Sequence, residues 1–238
     1  MTKFLGKKLL FVTAHPDDES YTAAGTMLKN HDAGGITYVA CATYGEKGKS
    51  HLKKEMTPHQ LKQLRKKELI AASKYLKVSD LLMAGLPDAG MGAKANQAAF
   101  FKKLIPFAAK HRPDFIISFG EDGISGHIDH ISVGKVAKRV AKKLNIPLIT
   151  FSAPPELHKS LEELKNRRKH GKYVKQLKPS SHDIEIKVHA AKKLKALRFH
   201  DSQLDRKEPL TNFPTKARKQ ILTREYYSVP NLKLRNRK

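Results

Sequence analysis

Apolar, β-branched runs recur along the chain: LLFVTA at 9–14, ITYVACAT at 36–43, DLLMAG at 80–85, DFIISFG at 114–120 and PLITFS at 147–152. Their length and composition predict buried strands. Helical spacing separates them. Thr57 is placed to cap a helix whose first residue is Pro58, with Leu61, Leu64, Leu69, Ala72 and Leu76 along one stripe. From Asp129 a second stripe runs through Val133, Val136, Val140 and Leu144, and Asn145-Ile146-Pro147 closes it. Further on, DIEIK (183–187) reads as a short strand, VHAAKKLKALRFH (188–200) as a helix and REYYSV (224–229) as a late strand. Strands that alternate with helices predict βαβ units, hence an α/β fold with a mostly parallel sheet flanked by helices.

Composition supports one domain over residues 1–238. A hydrophobic fraction of 39% supplies a core, and no internal repeat or long linker divides the chain. The segment 155–182 is basic and poor in large apolar residues, which predicts a surface excursion; 231–238 reads as a basic tail. No apolar run approaches the roughly 20 residues needed to span a bilayer. Met1-Thr2-Lys3 leads into a strand and not into a signal peptide. The single cysteine, Cys41, sits in an apolar run and reads as a small buried hydrophobe in a reducing cytoplasm.

Charge complicates this picture. There are 47 basic and 22 acidic residues, a net +25, split as 19 against 13 in residues 1–134 and 28 against 9 in 135–238. Such a skew serves nucleic-acid binding, attraction of anionic substrates or plain solubility. The patches NRRKHGKYVKQLK (166–178) and KLRNRK (233–238) have few aromatics to stack bases and match no nucleic-acid reader motif, so solvated lysine is the expectation.

The polar clusters fall directly after the predicted strands. His15, Asp17 and Asp18 follow the first, TYGEKG (43–48) the second, LPDAG (86–90) the third and GEDGISGHIDH (120–130) the fourth. In an open parallel sheet ligands bind beyond the carboxyl ends of the strands, so four loops converge on one edge. In HIDH, His127 and His130 stand three apart at a helix start and can face the same way. Three histidines and several carboxylates suit a divalent metal: two histidines, one carboxylate and an open position are common for catalytic zinc, and the set also suits ferrous iron. Two other matches fail. GEKGKS (45–50) has Thr43 where a phosphate-binding loop needs its leading glycine, and GMGAKA (90–95) is not placed for a dinucleotide.

Taken together, AHPDDE, TYGEKG, RKKELIAASKYL, HIDH and ALRFHDSQ, in order from about residue 8 to 203, resemble the LmbE-like, or PIG-L-type, zinc-dependent sugar N-deacetylases. The resemblance implies a Rossmann-like fold with its active site at the C-terminal ends of the strands. It also implies hydrolysis of the acetamide of an N-acetylglucosaminyl conjugate to free amine and acetate. By position it makes His15, Asp18 and His130 the zinc ligands and Asp17 the general base. His127 becomes the cation or donor that stabilises the oxyanion, with Asp129 as its orienting partner. Arg65 becomes a substrate contact, Asp88 an acceptor for a sugar hydroxyl, and Glu46 either a sugar contact or a support for the first loop. Ile128 replaces the family's usual proline, and Ser125 stands where some members carry a tyrosine or arginine.

The bland readings stay beside these. Arg65 and Glu68 are spaced for an intrahelical ion pair, Glu19 for a helix start, and His200, Ser202 and Gln203 for buttressing. The histidines at 31, 51, 59, 111, 158, 170, 182 and 189 read as surface residues. Two functional alternatives remain: another metal amidohydrolase acting on a non-sugar N-acyl amine, and a polyanion-binding protein with a vestigial metal site. An anionic aglycone and a homo-oligomer are left open.

Overall fold

The computed structural model describes residues 4–52, 55–157, 181–205, 208–211 and 213–229. Seven strands form one sheet: β1 (Lys8–Thr13), β2 (Ile36–Thr43), β3 (Val78–Leu86), β4 (Phe115–Phe119), β5 (Leu148–Ser152), β6 (Ile184–Lys187) and β7 (Arg224–Ser228). Their order in space is β3-β2-β1-β4-β5-β7-β6. β1 pairs in parallel with β2 on one side and β4 on the other, and β4 with β5. β7 runs antiparallel to both β5 and β6. The chain thus builds outward from β1 to β3, then returns to lay β4 against the free side of β1. That reversal opens a crevice beyond the ends of β1 and β4, where an open α/β sheet binds its ligand.

β1 and β2 bury every residue but the first, as strands covered on both faces must. Leu9, Phe11, Val12, Val39, Ile116, Ile117 and Phe151 make the centre of the core. The helices are α1 (Asp18–Asp32), α2 (Pro58–Tyr75), α3 (Lys94–His111), α4 (Ile128–Leu144), α5 (Ala190–Leu197) and α6 (Thr215–Thr223). α2 starts where the sequence marks it: the Thr57 hydroxyl accepts from Gln60 N–H while the Gln60 side chain accepts from Thr57 N–H at 2.9 Å. α4 buries Val133, Val136 and Val140 and stops at Asn145, whose left-handed backbone (φ 55°) ends the helix. A satellite cluster of Leu157, Leu197, Leu210, Ala217 and Ile221 lies beside the sheet.

Cys41 is fully buried. Among the described residues no helix is long and apolar enough to cross a membrane. One surface expectation is overturned: His111 lies within 2.9 Å of Asp80 and stacks on Tyr38 at 4.1 Å, because the apolar start of β2 leaves its ring a flat aromatic partner. His158, His170, most of the 155–182 segment and the 231–238 tail lie outside the described residues.

Candidate metal and catalytic site

β1 delivers the chain to a sharp turn at His15-Pro16-Asp17. Asp17 has φ 100°, a backbone region that a residue with a Cβ occupies only when its surroundings hold it there. Arg65, from α2, is the main restraint. Its guanidinium donates to the carbonyls of Pro16 and of Gly45 (2.8 Å) and to Asp17 Oδ2 (3.0 Å). Asp17 N–H donates to Glu19 (3.1 Å), and Asp18 Oδ2 accepts from the N–H groups of Ala14 (3.0 Å) and His15 (2.9 Å). The TYGEKG loop has glycine at 45 because a Cβ there would lie 1.9 Å from the guanidinium. Its chemistry is to admit Arg65.

The facing half comes from the turn after β4. Ile124 there has φ 62°, rare for a β-branched residue, and Asp122 accepts from its N–H at 3.1 Å. The turn delivers His127 as the N-cap of α4, and His130 one turn later. His130 stacks on Phe119 with ring centroids 4.0 Å apart, and its Nδ1 lies 3.0 Å from the Gly123 carbonyl. That leaves Nε2 facing Asp18 Oδ1 at 3.3 Å. His15 Nδ1 faces the other Asp18 oxygen at 3.7 Å. One donor atom from each of His15, Asp18 and His130 lies within 4.8 Å of the others. Two imidazoles and a carboxylate converging this closely fit a divalent ion such as zinc. His15, His127 and Asp129 form an overlapping second group of the same size.

The site's electrostatics are strongly biased. Burial and the neighbouring Asp18 charge outweigh Arg65 and raise Asp17 to about 6. Burial opposes ionisation of Asp18 too, yet His130 and His15 hold it well below the usual carboxylate range. Burial pushes His15 down, but hydrogen bonds to Asp129 and Asp88 and the charge of Asp18 raise it to about 10. Burial, then the proximity of His130 and His15, lowers His127 to about 4. Two adjacent aspartates are thereby pushed apart, one kept ionised and one able to take a proton near neutrality.

Residues 10–141 match the PIG-L family, described as GlcNAc-PI de-N-acetylase. A probable N-acetyl-alpha-D-glucosaminyl L-malate deacetylase of Bacillus anthracis is 30% identical over 83% of this chain and 81% of its own length. The chain belongs to the PIG-L family. A 1D-myo-inositol 2-acetamido-2-deoxy-alpha-D-glucopyranoside deacetylase of Streptomyces scabiei is 35% identical over 58% of this chain and 49% of its own length. The chain spans about half the length of the first curated relatives it matches. The N,N'-diacetylchitobiose deacetylase of Pyrococcus horikoshii shares the fold, with TM-score 0.62 over 94% of this chain and 83% of its own at 20% identity.

Within this PIG-L chain the residues singled out in the sequence divide into two groups. His15, Asp17, Asp18, His127, Asp129 and His130 meet at the crevice. Arg65, although also there, is 3% exposed and engaged on Asp17 and two carbonyls. Nor is it an ion-pair partner of Glu68, whose carboxylate instead accepts from Ser202 N–H (2.8 Å) and hydroxyl (2.7 Å). The α2 face carrying both is buried, so each reaches across to another loop and not along the helix. Asp129 meets His127 through its backbone N–H, which donates to Nδ1 at 3.2 Å; its carboxylate accepts from Met91 N–H (3.0 Å) and lies 3.2 Å from His15 Nε2. Asp88 lies 3.2 Å from the same nitrogen. Glu46 Oε1 accepts from Asp88 N–H (3.0 Å), while its Oε2 is buried without a hydrogen bond.

The buttress predicted at 200–203 is deeper than its sequence suggests. His200 Nε2 lies 2.7 Å from Glu19 Oε1 with both side chains essentially inaccessible, and Ser20 donates to the same oxygen at 2.7 Å. Glu19 is therefore a buried link between the Asp17 backbone and the C-terminal segment. Only its place beside two other acids signals that in sequence.

Proposed function

We propose that this chain hydrolyses the acetamide of an N-acetylglucosaminyl conjugate, releasing acetate and a free amine. The observation that carries the reading is the His15–Asp18–His130 donor set at the β1/β4 reversal, with Asp17 beside it tuned to about 6. His15, Asp18 and His130 would hold the metal, zinc by preference among divalent ions. Bound there, it would act as a Lewis acid on the acyl oxygen and make water acidic enough to react at neutral pH.

The chain's own groups do the rest. Asp17 is mostly ionised at neutral pH and basic enough to accept the proton of the attacking water. It then returns that proton to the departing amine as the carbon–nitrogen bond breaks. His127 is neutral at that pH, and because Asp129 N–H donates to Nδ1, its own proton sits on Nε2. It therefore serves as a hydrogen-bond donor to the developing oxyanion. Arg65 holds the base in its strained turn. Glu46 Oε2, which no group among the described residues engages, is a spare acceptor for a sugar hydroxyl.

The test is acetate release by zinc-loaded protein from a neutral N-acetylglucosaminide and from one with an anionic aglycone. Release from either supports the reading, and a clear preference fixes the aglycone class. Failure with both, alongside hydrolysis of a sugar-free N-acyl amine, would transfer the site to that substrate class.

A further inference from the structure

His15 is a ligand candidate whose outward ring nitrogen is gripped by two carboxylates. Asp88 Oδ1 and Asp129 Oδ2 each lie 3.2 Å from Nε2. The corresponding inner nitrogen of His130 meets a single backbone carbonyl, that of Gly123. Both carboxylates are buried, Asp88 6% and Asp129 1% exposed. Main-chain donors from the loops after β2 and β3 fix them in place. Lys47 N–H donates to Asp88 Oδ2 at 2.8 Å, Ala89 N–H to Asp88 Oδ1 at 2.8 Å, and Met91 N–H to Asp129 Oδ1 at 3.0 Å. Ala89 adopts a left-handed backbone (φ 54°) in the tight turn that follows Asp88.

Ionised carboxylates only accept hydrogen bonds, so the nitrogen between these two must carry the proton. With a metal ion in place of the ring's second proton, Nδ1 is the ligand atom, and Nδ1 is the nitrogen turned toward Asp18 at 3.7 Å. The two carboxylates thereby decide which atom of His15 can be a ligand. The geometry points to Asp88 and Asp129 as a paired lock on the His15 tautomer and ring orientation, positioning residues for the metal ligand. Asp88 fills this role in place of the sugar contact that the family resemblance implies. The inference rests on His15–Asp18–His130 being the metal set.

The lock has a built-in selectivity for the carboxylate. The groups that meet the Asp88 side chain are all donors: Lys47 N–H, Ala89 N–H and His15 Nε2–H. Asparagine at 88 has the right shape but must aim its amide hydrogens at one of them. The Nε2–H bonds Asp129 and lies within ion-pair distance of Asp88, so losing one partner weakens the lock and losing both abolishes it.

Zinc affinity is measured by chelator competition on the full chain for the parent, Asp88→Asn, Asp129→Asn, the double variant and His130→Ala. Each single aspartate variant is expected to bind zinc about 10- to 100-fold more weakly, as removal of a ligand's hydrogen-bond partner does elsewhere. The double variant should be weaker than either. Asp88→Asn with parent zinc affinity and a raised KM for an N-acetylglucosaminide overturns the lock and restores Asp88 as a sugar contact. His130→Ala with parent affinity instead removes the metal-set reading itself. A second measurement needs no variant: long-range 15N–1H NMR of the zinc-loaded parent should show His15 protonated on Nε2, and protonation on Nδ1 overturns the proposal.

Discussion

Two buried charged clusters meet the α1 helix, one at its N-terminus and one at its middle, and they are built differently. Around Glu225, on β7, every bond is made. Its Oε1 accepts from Lys193 Nζ (2.8 Å) and Gly25 N–H (2.9 Å), and its Oε2 from Thr26 N–H (2.7 Å) and the Thr26 hydroxyl (2.6 Å). Around Asp17 the network is left open. Arg65 Nε, His200 Nδ1 and Glu46 Oε2 are buried without hydrogen bonds, and the Asp17 backbone is held at φ 100°. Buried polar atoms without partners cost stability, so a fold keeps them where something other than stability is served. The closed cluster ties α1, α5 and β7 together; the open one keeps a carboxylate aimed and responsive.

If that contrast is right, the two clusters must fail in different ways. The largest loss is in the closed one. Lys193→Met strands Glu225 in the interior and should cost about 3–5 kcal/mol in denaturant unfolding, while turnover per folded molecule stays at the parent value. A marginal stability change would show that the pair is dispensable and dissolve the comparison. In the open cluster, Asp17→Asn should leave melting and zinc content near those of the parent but lower turnover at least ~10²-fold. In the parent, kcat/KM should rise with pH through about 6 and then level, because the base must be ionised. A variant within a few-fold of the parent would send the search for the base to Glu46.

Smaller effects sharpen the distinction between holding a base and gripping a substrate. Arg65→Lys replaces a fork that spans three acceptors by a point charge, and turnover should fall about 10-fold with KM unchanged. A raised KM at constant turnover would make Arg65 a substrate contact after all. The smallest signal is in His200. Burial lowers its affinity for a proton, but the charge of Glu19 and the hydrogen bond to it raise its pKa above the ordinary value. A raised folded-state pKa contributes stability fully below the unfolded value of about 6.5, and that contribution is lost as pH rises through the folded one. The stability gap between parent and His200→Gln, measured on metal-free protein, should therefore be widest near pH 6 and narrow toward pH 9. A gap independent of pH would mean that the pair acts through packing alone.

How much of this could be read in advance depended on how far each interaction reaches. β1, β2, β4 and β5 were legible because strands covered on both faces leave unbroken apolar runs, and β3, a partly covered edge strand, because its run is apolar all the same. α2 and α4 were legible because Thr57, Pro58 and Asn145 mark their ends. α1, α3 and α6 have no side-chain hydrogen bond at their N-caps. The first turn of α1 also buries Asp18, Glu19 and Ser20 where an apolar stripe would announce a helix. The ligand types were visible for a similar reason, since each half of the metal set is local to one loop. The aim of the supporting side chains was not. Arg65 reaches 48 positions back to Asp17, and Asp129 spans 114 to His15, so their partners exist only once the sheet has assembled.

Glu19 and His200 are 181 positions apart, and Glu68 and Ser202 are 134 apart. A ribosome therefore makes the pieces of the site in an order that forbids early completion. The loop carrying His15, Asp17 and Asp18 emerges first, and all five parallel strands can follow it while Glu19 and Glu68 still lack their partners. Contacts across such spans form late, because the intervening chain must first be ordered. The nascent protein can thus hold a nearly finished parallel sheet with an unfinished base, and the segment around His200 supplies the closing contact only after all five parallel strands have been made.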